Sequence, residues 1–159
     1  MNMWLNAAPG SQVAFNGLGC DISLNDLCDR PPRALADGEV MDLGGKRVRT
    51  VATPHVPHGW EAQVMFEETT GTLLCGDLMS QLGSGAPITN SDVVERALAT
   101  ERIFGQTSPG DNAPRTLRRL AELRPQRLAI MHGSSFEGDG RKALLDLAAG
   151  YERLAREHS

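Results

Sequence analysis

Apolar and polar positions change their period along the chain. In residues 39–52 and 62–75 the apolar residues alternate or run in short blocks around glycine-containing turns, which is the pattern of strands. Gly44-Gly45 splits the first stretch into 39–43 and 46–52. The segment ending in Gly71 splits the second into 62–66 and 72–75, so two hairpins are predicted. The last third shifts to a helical period. Residues 92–104 open with an Asp92/Glu95 capping pair, and 114–123 carry Leu117, Leu120 and Ala121 on one stripe. Residues 141–156 place Leu144, Leu147, Ala148, Tyr151 and Leu154 on one face of a closing amphipathic helix. Between them, 128–131 is a short apolar run bounded by Pro125 and Gly133, which reads as a buried strand.

The first third is less regular. Residues 1–8 read as a helix ended by Pro9-Gly10, and 11–16 as a short strand. Residues 23–28 read as one helical turn with Ser23 as its N-cap, before Arg30-Pro31-Pro32 breaks the chain direction. Glycine-rich 82–87 is a loop. Strand hairpins followed by helix, strand and helix predict a sheet covered by helices, an α/β fold.

Composition narrows the function classes. With 159 residues, one domain spanning 1–159 is expected. A net charge of −4 and 4% aromatic residues argue against nucleic acid as a partner. No apolar run of about 18 residues occurs, so no membrane span is expected. The start lacks a basic stretch followed by an apolar one, so a secretory signal is not expected and the predicted location is cytoplasmic. Cys20, Cys28 and Cys75 are odd in number, which precludes a complete disulfide framework within one chain and fits reduced thiols. Arg115, Arg118, Arg119, Arg124 and Arg127 read as a solvated helix face.

The candidate chemistry gathers at strand ends. His55 and His58 follow the strand ending near Ala52, Asp77 follows the strand through Cys75, and His132 follows the run ending at Met131. Each group lies beside a glycine, Gly59, Gly76 or Gly133, which permits sharp turns and close backbone approach. Two imidazoles and a carboxylate suit a borderline cation such as zinc or iron, and a carboxylate between two imidazoles can bridge two metals. Ser134 and Ser135 follow His132, but no Ser/His/Asp spacing supports a nucleophile there.

The stretch from Thr53 to Leu78, with His132 in A129-I-M-H-G-S-S135, resembles the second half of the metallo-β-lactamase fold. The flavodiiron and single-domain oxygen-binding di-iron branch is the nearest in pattern. In that branch an aspartate follows a loop histidine by nineteen residues, and here Asp77 follows His58 by nineteen. The resemblance implies an αββα-type sandwich, two divalent metal ions (iron or zinc), and His58, Asp77 and His132 as metal ligands, with His55 outside the cluster. It also implies an earlier loop, H-x-H-x-D-H or H-x-E-x-D, that supplies over half the ligands. No histidine precedes His55. The expectation is therefore the C-terminal two-thirds of this fold, with the first ligand cluster missing and the Val48–Ala52 strand and Met3-Trp4-Leu5 exposed as an apolar edge that favours homo-oligomers.

Three functional readings follow. A zinc site would use a metal-bridging water to hydrolyse a small-molecule ester, thioester, lactam or phosphodiester. A di-iron site would bind or reduce dioxygen or nitric oxide, as the flavodiiron relatives do. A chain with too few ligands would be a non-catalytic remnant.

Overall fold

The structure, a computed structural model, describes residues 1–108 and 110–157. The two expected hairpins form. Strands β3 (Val40–Asp42) and β4 (Arg47–Ala52) pair antiparallel, and so do β5 (Gln63–Glu67) and β6 (Thr72–Gly76). They belong to a seven-stranded mixed sheet whose order is completed by β8 (Arg127–Ile130), β9 (Ser135–Glu137) and, at the edge, β7 (Ile88–Thr89). Strand alternation decides the burial. In β5, Val64 and Phe66 point into the core while Gln63, Met65 and Glu67 do not, and β6 buries Leu73 and Cys75 in the same way.

Helices α4 (Val94–Phe104), α5 (Asn112–Ala121) and α6 (Gly140–Glu157) cover that core face. Leu117, Leu120, Leu144 and Leu147 are buried where α5 packs on α6. Gly150 lets α6 approach α4, since a Cβ there would lie 2.4 Å from Leu98. Pro114 sits in the first turn of α5, where its missing N–H costs no helical bond. Asp92 accepts a bond from Val94 N–H at 2.8 Å, but the expected return bond from Glu95 is not made. Glu95 pairs instead with Arg153 of α6, because that guanidinium offers a stronger, charge-assisted partner.

Three short elements depart from the expectations. Helix α1 (Asn2–Ala7) and strand β1 (Ala14–Asn16) are as read, but the next helical segment begins earlier than Ser23. It runs through α2 (Gly17–Gly19), a π-helical turn (Cys20–Leu24) and α3 (Asn25–Leu27). Its cap is Asn16, whose Oδ1 accepts the Gly19 N–H at 2.8 Å. Strand β2 (Arg33–Leu35) then pairs parallel with β1 in a second, two-stranded sheet. The short strands β2, β7 and β9 have no periodic pattern of their own and exist because a neighbour supplies their hydrogen bonds.

The expected apolar edge at β4 is not exposed. Val51 lies in the helix-covered core, while Val48 and Thr50 are buried on the opposite face. The segment after β2 lies over that second face: the Thr50 hydroxyl donates to the Ala36 carbonyl at 2.9 Å, and Leu35 is buried. Only Met3 and Trp4 of the anticipated patch face solvent, at 85% and 78% exposure. Among the described residues, no helix is long and apolar enough to cross a membrane.

Candidate metal centre

Strand direction brings the candidate residues together. Strand β4 is antiparallel to β5 and β5 to β6, while β6 is parallel to β8, so β4, β6 and β8 all point the same way. Their C-terminal ends therefore share one edge of the sheet. The segment after β4 carries His58, the residue after β6 is Asp77, and His132 comes two residues after β8.

At that edge the Asp77 carboxylate sits between two imidazoles. His58 Nε2 lies 2.9 Å from Oδ2, and His132 Nε2 lies 3.0 Å from Oδ1. The first contact has hydrogen-bond geometry. The second does not, so Oδ1 is a buried oxygen without a hydrogen-bond partner despite its short distance to His132. An orphaned buried carboxylate oxygen is costly unless something positive meets it. Donors bound at right angles to one cation, each about 2.0–2.2 Å from it, lie roughly 3 Å apart, which matches both separations. The donor set fits two cations in part: one imidazole nitrogen and one carboxylate oxygen for each. Among the described residues, no group of three His, Cys, Asp or Glu side chains is placed to hold a single cation.

Local backbone geometry aims each donor. A register shift between Leu74 and Gly76 bulges β6 just before Asp77, and Gly76 takes φ +56° there. Cys75, on the inward face of β6 with Leu73, stays in the core, where burial pushes its thiol up to about 12. His58 holds φ +68°, a sparsely populated backbone for a residue with a Cβ. Its N–H donates to the Gln106 carbonyl at 2.8 Å. The root of its loop is tied by Asn112, which donates to the Pro54 carbonyl at 2.7 Å. Arg119 and Asp37 bracket Ala52 from both backbone groups.

His132 is held from the other side. The Gln81 N–H donates to the His132 carbonyl at 2.7 Å, and Gln81 Nε2 donates to the Ser134 carbonyl at 3.1 Å. Gly133, at φ +107°, permits this contact, because a Cβ there would meet the Gln81 Cβ at 2.7 Å. His55 stands apart from the carboxylate, its ring edge-on to Trp60 at 6.4 Å. Ser134 is buried against this clamp, and Ser135 Oγ accepts a long bond from Ile130 N–H. Of the arginine cluster, Arg118, Arg119 and Arg127 form ion pairs with Glu152, Asp37 and Glu137. Gln81, Gln106 and Asn112 were not legible as site residues, because each acts on a backbone group far away in sequence.

No family profile and no curated protein sequence matches the chain. Solved structures do. The apo state of the chemotaxis sensor ODP from T. denticola is similar with a TM-score of 0.74 at 15% identity, covering 93% of this chain and 62% of the sensor. Rubredoxin oxygen:oxidoreductase from the anaerobe Desulfovibrio gigas matches with a TM-score of 0.71 at 16% identity, covering 97% of this chain and 40% of that one. A flavo di-iron protein from Thermotoga maritima matches with a TM-score of 0.71 at 21% identity, over 91% of this chain and 36% of its own. The chain thus spans less than two thirds of the length of each. At these identities the likeness is one of fold: this chain has the metallo-β-lactamase-like α/β fold that these proteins share.

Proposed function

We propose that this chain is the metal-carrying part of a di-iron protein that acts on dioxygen or nitric oxide. His58 would supply one imidazole to the first iron, His132 one to the second, and Asp77 one carboxylate oxygen to each. The observation that carries this reading is the Asp77 carboxylate with one imidazole nitrogen at 2.9 Å from Oδ2 and another at 3.0 Å from Oδ1. Solved neighbours described as a peroxy diiron species of a chemotaxis sensor, an oxygen:oxidoreductase and a flavo di-iron protein support iron and oxygen over zinc hydrolysis. Bound there, a pair of iron ions would supply electrons and open coordination positions for a diatomic gas. His58, Asp77 and His132 would hold the two ions, and the Asp77 carboxylate, with one oxygen towards each imidazole, would set how far apart they sit. A cytoplasmic setting fits the three free thiols.

Two donors per ion from this chain are fewer than a stable site uses. The remaining ligands would then have to come from water or from further polypeptide, and ions held by this chain alone would be labile. The test is elemental analysis of the purified chain after anaerobic Fe²⁺ loading and dialysis, with His58→Ala, Asp77→Ala and His132→Ala in parallel. Less than two equivalents should remain in the wild type. Asp77→Ala should lose both positions, and each histidine variant only one. Binding unaffected by all three substitutions refutes the assignment. Two tightly held zinc equivalents in the wild type would instead return the hydrolase reading.

A further inference from the structure

The segment that follows α4 is tied to the helix it leaves. Gly105, at φ +56°, closes the helix by donating its N–H to the Glu101 carbonyl at 2.8 Å. The chain then doubles back, so that Thr107 N–H donates to Glu101 Oε1 at 2.9 Å. The Thr107 hydroxyl lies 3.3 Å from Oε2 of the same carboxylate. Tyr151 of α6 donates its phenol to Oε2 at 3.0 Å and lies 3.0 Å from the Thr107 hydroxyl. Burial raises the Tyr151 phenol far above its ordinary range, so it remains a donor at every physiological pH.

The two neighbours of Thr107 hold the histidine loop. Gln106 offers its carbonyl to the His58 N–H at 2.8 Å, and Ser108 donates its N–H to the His55 carbonyl at 3.3 Å. Glu101 thus fixes Thr107, and Thr107 fixes the residues on either side that grip both ends of His55–His58. Both histidines have positive φ, +64° and +68°, a conformation that persists only when its surroundings over-determine it.

We propose that Glu101 is a positioning residue for His58, holding through Thr107 the Gln106 carbonyl that sets the backbone from which the His58 imidazole reaches Asp77. The proposal rests on the reading of His58 as a cation ligand, and its test separates the two. The full chain is compared with Glu101→Leu, which removes both acceptors, and with Glu101→Gln, which keeps one. The first readout is amide hydrogen exchange by NMR on the metal-free chain. Glu101→Leu should speed exchange at His58 by about tenfold or more and leave the Gln81 amide, on the His132 side, unchanged. The second is Co²⁺ titration, in which Glu101→Leu should weaken binding by about 10–100-fold and Glu101→Gln should recover most of the loss. Should Glu101→Leu fail to fold, Tyr151→Phe, which removes a single hydroxyl, should give a smaller acceleration at His58 alone. Unchanged exchange at His58 overturns the proposal, as does equal acceleration at Gln81, which would mark a general loosening. A wild-type chain that binds no Co²⁺ overturns the cation reading instead, and the exchange data alone then judge the brace.

Discussion

Replacing Gly133 with alanine tests how the second imidazole is held. The new Cβ would lie 2.7 Å from the Gln81 Cβ and 3.2 Å from the Gln81 carbonyl oxygen. Neither atom is the tip of a flexible side chain, so the backbone has to give. Strain at φ +107° contributes about 1–3 kcal/mol. The bonds from Gln81 to the His132 and Ser134 carbonyls are the contacts displaced, each with a net worth of about 0.5–1.5 kcal/mol. Together these predict a loss of about 2–6 kcal/mol in urea unfolding. Because the displaced loop carries His132, Co²⁺ affinity should also fall by about 10–100-fold. Gly44→Ala is the control. It shares a positive φ of +80°, but nothing lies within 4 Å of its Cβ, so it should show backbone strain alone and leave the cation untouched. A Gly133→Ala chain with an unchanged unfolding midpoint and unchanged Co²⁺ binding would refute the clamp.

Two further outcomes are expected. The Thr70 hydroxyl, together with groups of Thr69 and the backbone N–H groups of the β5–β6 turn, lowers the Glu67 carboxyl from 4.5 to about 2 against the opposing effect of burial. A carboxylate lowered by folding stabilises the native state above pH 4.5, and that contribution is lost as pH falls towards 2. Glu67→Gln should therefore flatten the stability profile in that window, and an unchanged acid limb in denaturation curves would count against the turn bonds. Thiol labelling of the native chain at pH 8 should modify the half-buried Cys28 well before Cys75, whose thiol is pushed up to about 12 inside the core. Fast labelling of Cys75 would show that β6 does not hold it in the core.

The sequence by itself determined the elements with a strong period and singled out the side chains that converge at the sheet edge. Strands β4, β5, β6 and β8 and helices α4, α5 and α6 were legible because a half-buried element must repeat its apolar residues every two or every 3.6 positions. His58, Asp77 and His132 were legible because they follow strand ends beside glycines and keep the spacing of a known fold. Tertiary structure decided the rest. Strands β2, β7 and β9 are only two or three residues long and take their form from a partner, not from a pattern. The face of β4 that seemed bound to be exposed is covered because the segment after β2 folds over it and takes the Thr50 hydroxyl. The grip on the two histidine loops was equally invisible. Gln81 reaches Ser134 across 53 positions and Tyr151 reaches Glu101 across 50, and contacts of that range leave no local trace. A single chain shows its periods directly, but a hydrogen bond between distant residues exists only once the fold has brought them together.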